Sequence, residues 1–239
     1  MPVTNITPTA HRHPDPEDRR AFAPERAAGL RAAVADLAWL LGRGYGRAAA
    51  AHFVAEGRHL LARERQALLR LACADAERDD RQRRFTTMLQ GRALVVDGFN
   101  VLVTVEAGLG GAVVLAARDG ATRDLASATR WHPVAETAPA LGLLCAALAE
   151  RQVGPIDVLL DEQVQNGGRL AAGWREAAAA VGLSLAVRRL PAVDASLADS
   201  GQLVASADSA VLDRAVAWCD LPGLVLRAVA VPVWWVRAS

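Results

Sequence analysis

The sequence predicts an α/β protein, with a parallel sheet flanked by helices and preceded by a small region made only of helices. After Gly91, short runs of valine and leucine alternate with helical patterns, as in parallel strands joined by right-handed crossovers. Before Gly91, apolar residues recur at spacings of three and four. We therefore divide the 239 residues into a flexible arm (1–14), an arginine-rich helical domain (15–91) and an α/β domain (92–239).

Helices are expected in order along the first part of the chain. Asp15 supplies an N-cap and Pro16 suits a first helical turn, so one helix should start near Asp15. Further helices are predicted over 25–42 and 45–56 and from about Ala62 onward, the last with most of its arginines outward.

The α/β part opens with a buried strand over 93–96, rich in valine. A hairpin is expected from the apolar run at 113–115 and the Asp119-Gly120 turn. The remaining predictions are strands over 156–160, 183–187, 203–205 and 224–226, and helices over 137–150, 169–181 and 210–218.

Composition excludes several function classes. The chain has no lysine, which excludes a P-loop and any lysine Schiff base. No apolar run is long enough for a transmembrane helix, and the first ten residues lack the order of a secretory signal, so we expect a cytoplasmic protein that does not enter a membrane. Three widely spaced cysteines, Cys73, Cys145 and Cys219, predict buried reduced thiols.

Charge is distributed unevenly between the two parts of the chain. Up to Arg92 there are 16 arginines against 11 acidic residues, and the rest has 11 against 15. A basic helical domain could contact nucleic acid through Arg63, Arg65 and Arg70, and the break at Gly57 resembles a helix-turn-helix. A solvated arginine-rich face explains the same pattern.

Aspartates recur at the predicted carboxyl ends of the strands, where the functional groups of such sheets gather. Asp97, Asp161 and Asp208 end or follow three strands, Asp194 lies in a nearby loop, and Asp213 lies one turn into the next helix. Converging carboxylates repel each other unless a cation lies between them, and oxygen ligands without His or Cys favour Mg²⁺ or Mn²⁺. Any one of these aspartates could instead cap the following helix.

The segment Val95-Val96-Asp97-Gly98-Phe99-Asn100-Val101-Leu102, with Asp161 and Ser206-Ala207-Asp208, resembles the PIN-like nucleases. The likeness is to the NYN branch in particular, whose first strand typically ends in Asp-Gly-Tyr-Asn; phenylalanine replaces the tyrosine here. The resemblance implies a Rossmannoid sheet, a Mg²⁺ or Mn²⁺ ion held by the three aspartates, and cleavage of single-stranded or structured RNA. The whole chain also resembles an uncharacterised prokaryotic family that joins an arginine-rich helical domain to such a domain.

Further residues are candidates for the same site. The resemblance implies an acid from the early helix, for which Glu106 is the candidate, although it could equally be an exposed helical residue. It also implies that Asn100 and Ser206 lie at the nucleic-acid site. Asn166 and Arg169 flank two glycines and could present a helix N-terminus to a phosphate, or form a plain glycine turn.

The sequence therefore predicts a metal-dependent phosphodiesterase acting on nucleic acid, RNA more than DNA, with Glu106 or Asp213 completing the metal shell or orienting water. The alternative is a catalytically silent PIN-like protein that binds nucleic acid or regulates. A third hypothesis, phosphate chemistry on a small molecule, predicts a closed pocket, whereas a nuclease predicts an open groove rimmed by arginines. If Trp131 or the Trp234-Trp235 pair is exposed, these tryptophans would form a platform for nucleic-acid bases or the contact of a possible homodimer.

Overall fold

The computed structural model describes residues 10–126 and 131–238. Most of the predicted flexible arm, residues 1–9, lies outside these ranges. Residues 10–14 are not a free arm: the Ala135 amide donates to the Ala10 carbonyl at 2.8 Å, and His11 lies 2.7 Å from Glu136. Contacts with distant residues fix this segment on the surface, which the polar sequence of the arm did not indicate.

Helices alone make up the region before the first strand. They are α1 (Asp18–Ala21), a turn of 3₁₀ helix (Pro24–Arg26), α2 (Ala27–Gly42), α3 (Arg47–Gly57), α4 (Ala62–Leu71) and α5 (Asp75–Arg84). The helix expected near Asp15 begins at Asp18 instead. The helix expected from Ala62 is two helices, because the backbone is extended at Ala72 and Ala74 and Glu77 accepts a hydrogen bond from the Ala74 amide, starting a new helix.

Five parallel strands form the main sheet. They are β1 (Leu94–Asp97), β4 (Ile156–Asp161), β5 (Ala186–Leu190), β6 (Leu203–Ala205) and β7 (Ala217–Cys219), in the order β5-β4-β1-β6-β7. Helices cover both faces: α6 (Gly98–Leu109), α7 (Thr137–Glu150), α8 (Gly167–Ala180) and α11 (Leu221–Leu226) on one, α9 (Val193–Ala198) and α10 (Ser209–Arg214) on the other. This is the predicted α/β arrangement with a parallel sheet between helices.

The last third of the chain departs from the prediction in three places. The helix predicted over 210–218 ends at Arg214, and Trp218 enters β7, where its indole N–H donates to the Arg81 carbonyl at 2.7 Å. The strand predicted over 224–226 is the end of α11, because Asp220 caps that helix through the Gly223 amide. The strand predicted over 183–187 lies three residues later, as β5.

A second sheet of three strands joins the helical region to the main sheet. The predicted hairpin is present as β2 (Val113–Ala116) and β3 (Thr122–Asp124), and β8 (Trp234–Arg237), which the sequence did not indicate, pairs parallel to β2. Val113 and Leu115 share one hydrophobic core with helical residues such as Leu37 and Leu68. The core of the helical region is therefore continuous with one face of this sheet.

Buried aromatic and sulfur-containing side chains fill the remaining interior. Trp131 is 1 % exposed and packs edge-on against Phe99, so it offers no exposed platform. The three cysteines are buried free thiols, as predicted. Across the described ranges, no helix is long and apolar enough to cross a membrane.

Candidate functional site

The candidate site lies where the connections of the main sheet change direction. From β1 the chain builds the sheet outward through β4 and β5, and β6 then returns to the other side of β1 and leads to β7. Ligand sites of open α/β sheets form beyond the carboxyl ends of the strands at such a switch point. Here that point places Asp97, the last residue of β1, beside the loop that follows β6.

Asp97 is held in place by its immediate neighbours. A Cβ atom on Gly98 would lie 2.5 Å from Leu160 Cδ2, so glycine lets α6 begin directly against β4. One Asp97 oxygen accepts from the Asn100 amide at 3.3 Å and the other from the Ser206 hydroxyl at 2.9 Å. The Asp-Gly-Phe-Asn segment therefore forms a tight strand-to-helix turn with its carboxylate fixed.

The loop after β6 is held from two sides. The Ala207 amide donates to Asn100 Oδ1 at 2.9 Å, and the Ala207 carbonyl accepts from Arg123 Nε at 2.8 Å. The Asp208 amide donates to the Ser206 hydroxyl oxygen at 3.2 Å, and the Asp208 side chain caps α10. Asn100 and Ser206 thus position the loop that carries Asp208.

A buried charge network supports this loop from the hairpin. Both ends of the Arg123 guanidinium donate to Asp119, at 2.9 and 2.8 Å, and Arg81 donates to the same carboxylate at 2.7 Å. Two arginines therefore hold the pKa of Asp119 below its ordinary value against the effect of burial. The hairpin is thereby fixed to both α5 and the β6 loop.

A cleft of about 710 Å³ opens at this edge of the sheet. Its mouth includes exposed residues such as Pro191 and Ala195, so the cleft is open to solvent. Five aspartates line it, and we call four of them the cleft aspartates: Asp97, Asp161, Asp194 and Asp208. Asn100, Thr104, Asp124, Arg70 and Arg123 line it as well.

The cleft aspartates perturb one another. The pKa of Asp97 is raised to about 7, mainly by burial and also by Asp194 and Asp208, against the hydrogen bonds from Ser206 and Asn100. The pKa of Asp194 is raised by burial and then by Asp208 and Asp161. The cleft thus disfavours the negative charge of Asp97 and Asp194.

No arginine of residues 10–126 and 131–238 forms an ion pair with any cleft aspartate, in contrast to the buried acids elsewhere. Asp18, Glu64, Glu106, Asp119 and Asp220 each pair with an arginine within 3.3 Å. Asp97 is buried, Asp161 and Asp208 are half-buried and Asp194 is exposed. Clustered carboxylates without a cationic partner repel one another, so a cation from outside the protein would stabilise the cleft. Oxygen donors alone suit Mg²⁺ or Mn²⁺.

A metal centre is not already assembled in the cleft. In the part of the chain that the structure describes, no three His, Cys, Asp or Glu side chains are arranged to hold a metal ion. Several carboxylates would therefore have to turn toward a shared ion. The donor chemistry fits a hard divalent cation.

Two predicted site acids lie outside the cleft. Glu106 is fully buried, where it accepts hydrogen bonds from Arg12 and Thr137, and burial raises its pKa. Asp213 faces away and pairs with Arg81 at 2.7 Å. Both are structural partners of arginines, and the assignment of either to the metal shell is corrected.

Among the residues predicted to contact phosphate, some line the cleft and others lie away from it. Arg70 lines the cleft, but Arg63 pairs with Asp18 and Arg65 with Glu56, away from it. Asn166 donates to the Trp131 carbonyl at 3.2 Å, and Arg169 is an exposed residue of α8; neither lines the cleft. The arginine-rich face of α4 is thus partly neutralised by the protein's own acids.

Three cleft residues escaped the sequence reasoning: Thr104, Arg123 and Asp124. Thr104 follows Asn100 by one helical turn, so its position could have been found by extending the Asp97 motif along α6. Arg123 and Asp124 come from the hairpin, and no local pattern shows where a hairpin docks.

The fold and the cleft define an α/β protein with an acidic site at the switch point of its sheet. The model of a domain of unknown function (DUF5616) matches residues 86–224, more than half of the chain, so the chain belongs to this family. The model of a second family, described as a protein of unknown function (DUF434), matches residues 29–84. An uncharacterised protein of Methanocaldococcus jannaschii is 28% identical over 180 residues, covering 74% of this chain and 86% of its own. No solved structure matches.

Proposed function

We propose that the protein is a Mg²⁺- or Mn²⁺-dependent phosphodiesterase of PIN-like fold that cuts RNA in the cleft. The observation that carries the proposal is the set of four aspartates that share one cleft without a cationic partner in the described chain. A divalent cation bound there would activate water and neutralise the charge that develops on a phosphodiester.

The protein's own residues have separable roles in this proposal. Asp97, Asp161 and Asp208 would hold the ion, and Asp194, at the start of α9, would contribute its carboxylate from the rim. Ser206 fixes Asp97 through its hydroxyl hydrogen and Asp208 through its oxygen. Ser206 is 2 % exposed, so it acts as a positioning residue.

Substrate would enter through the open side of the cleft. Arg70 lines the cleft and is half-buried, with one nitrogen donating to the Ala126 carbonyl at 3.3 Å. Its remaining donors would bind a phosphate oxygen of the strand. An open cleft favours a polymer over a small molecule, although arginines line it only sparsely.

Cleavage of end-labelled single-stranded RNA in Mn²⁺ and in EDTA tests the proposal. We expect Mn²⁺-dependent cleavage that falls by at least about 100-fold in Asp208→Asn, because a site carboxylate is lost while its helix cap is kept. Asp199→Asn is the matched control, since Asp199 is exposed and pairs with Arg214 outside the cleft. RNA that is retained but not cut by the wild type would instead favour the silent binding protein.

A further inference from the structure

Asp124 is a fifth acid of the cleft, and it comes from the hairpin. β3 carries Arg123, which reaches the β6 loop and lines the cleft, and Asp124, which lines the cleft as well. Asp124 is therefore presented to the cleft by the element that also supports the loop of Asp208.

Two donors among the described residues hold the Asp124 carboxylate. Its Oδ2 accepts from the Thr104 hydroxyl at 2.7 Å, and its Oδ1 accepts from the Ala126 amide at 2.6 Å. An ionised carboxylate has about four acceptor positions, so these two bonds leave acceptor capacity on each oxygen. Thr104 is 1 % exposed, which makes it a support for Asp124 and not a surface for ligand.

The surroundings of Asp124 differ from those of the cleft aspartates. Burial raises the pKa of Asp124, and the charges that act against this are those of Arg70 and Arg12, whereas the charges that act on Asp97 are those of the acids Asp194 and Asp208. The cleft thus has an acidic part suited to a cation and a part where one carboxylate lies near arginine. The second part suits a neutral hydrogen-bond donor next to a phosphate.

Within a nucleotide unit, the ribose 2′-hydroxyl is the donor adjacent to the 3′-phosphate. Carboxylates commonly accept a hydrogen bond from this hydroxyl at α/β sheet sites, and it is the group that distinguishes RNA from DNA. We propose that Asp124 is a substrate-recognition residue that accepts a hydrogen bond from a ribose 2′-hydroxyl, with Thr104 as its positioning residue. This inference rests on the proposed function.

The test compares cleavage of an RNA oligonucleotide and its 2′-deoxy counterpart in Mn²⁺. We expect the wild type to prefer RNA in kcat/KM by about 10- to 100-fold, the worth of one hydrogen bond to a charged group. In Asp124→Asn the side-chain oxygen still accepts from the Ala126 amide, and the new NH₂ group donates to the Thr104 hydroxyl oxygen. The variant should therefore keep the fold of the wild type. We expect its RNA rate to fall to the DNA rate while the Mn²⁺ concentration for half-maximal rate is unchanged. Asp199→Asn again serves as control.

Three results would overturn the inference: an unchanged preference in Asp124→Asn, an equal fall on RNA and DNA, or a shifted Mn²⁺ requirement. If the wild type cuts neither strand, the nuclease proposal fails, and binding of the same oligonucleotides without metal decides the inference separately. An RNA preference in binding that Asp124→Asn removes supports the 2′-hydroxyl contact, and equal wild-type binding of RNA and DNA refutes it.

Discussion

Replacing Asp97 by asparagine should change how stability depends on pH. Because burial and the neighbouring acids raise the folded-state pKa of Asp97 to about 7, ionising this group opposes folding. Its unfavourable contribution is absent below the unfolded pKa of about 3.9, develops as pH rises from there to about 7, and is complete above about 7. Asparagine is neutral throughout and keeps the shape of the protonated acid.

The magnitude follows from the two pKa values of Asp97. The folded-state and unfolded-state pKa values of Asp97 differ by about three units, which corresponds to about 4 kcal/mol of unfolding free energy. About 2.6 kcal/mol of this develops between pH 5 and pH 8. Without divalent cations, Asp97→Asn should therefore gain about 2 to 3 kcal/mol in unfolding free energy over the wild type between these two pH values. Acids outside the cleft with raised pKa values, such as Asp220, contribute to both proteins and cancel in the difference.

Urea unfolding of both proteins in EDTA at pH 5 and pH 8 measures this difference directly. Saturating Mn²⁺ at pH 8 should remove the advantage of Asp97→Asn, because the ion binds only the ionised carboxylate. A difference between wild type and variant that is the same at both pH values would refute the electrostatic reasoning for this site.

The other predictions concern the supports of the cleft. Gly98→Ala should lower the unfolding free energy by about 1 to 3 kcal/mol in urea, because its methyl group would overlap Leu160; no loss would mean that α6 can shift. Arg123→Met should lower the unfolding free energy by about 3 to 5 kcal/mol, because it removes one partner of a buried ion pair. Cleavage per folded molecule should fall as well, since Arg123 supports the β6 loop; full activity would show that the loop is held without Arg123. Glu106→Gln should lower the unfolding free energy, because it leaves Arg12 without its charged partner. Cleavage per folded molecule should stay at the wild-type rate; a lower rate per folded molecule would show that Glu106 contributes to the site.

The sequence predicted the site best where a functional residue lies at the end of a strand that has a clear local pattern. The strand ending in Asp97, the glycine after it and the loop at Ser206 each follow from a local pattern, and the parallel order of the strands brings them together. The helices predicted over 137–150 and 169–181 also agree closely with α7 and α8.

Tertiary contacts decided what the sequence did not indicate. Glu106 carries the same residue type as a metal ligand, but its partner Arg12 is 94 residues distant in the chain and no local signal joins them. Asp124 belongs to a hairpin whose docking depends on the buried network of Arg81 and Asp119. Trp218 enters β7 instead of extending α10, since it packs against Phe85 with ring centroids 4.9 Å apart.

Calorimetric titration of Mn²⁺ into the wild type and into Asp97→Asn and Asp208→Asn tests the central claim most directly. The claim is that the cleft aspartates hold a divalent cation. At pH 7 we expect the wild type to bind Mn²⁺ and to release protons, because Asp97 is only partly ionised before the ion enters. Both variants should lose this binding while Asp199→Asn retains it. Absence of binding to the wild type, or equal binding by wild type and both variants, would contradict the claim.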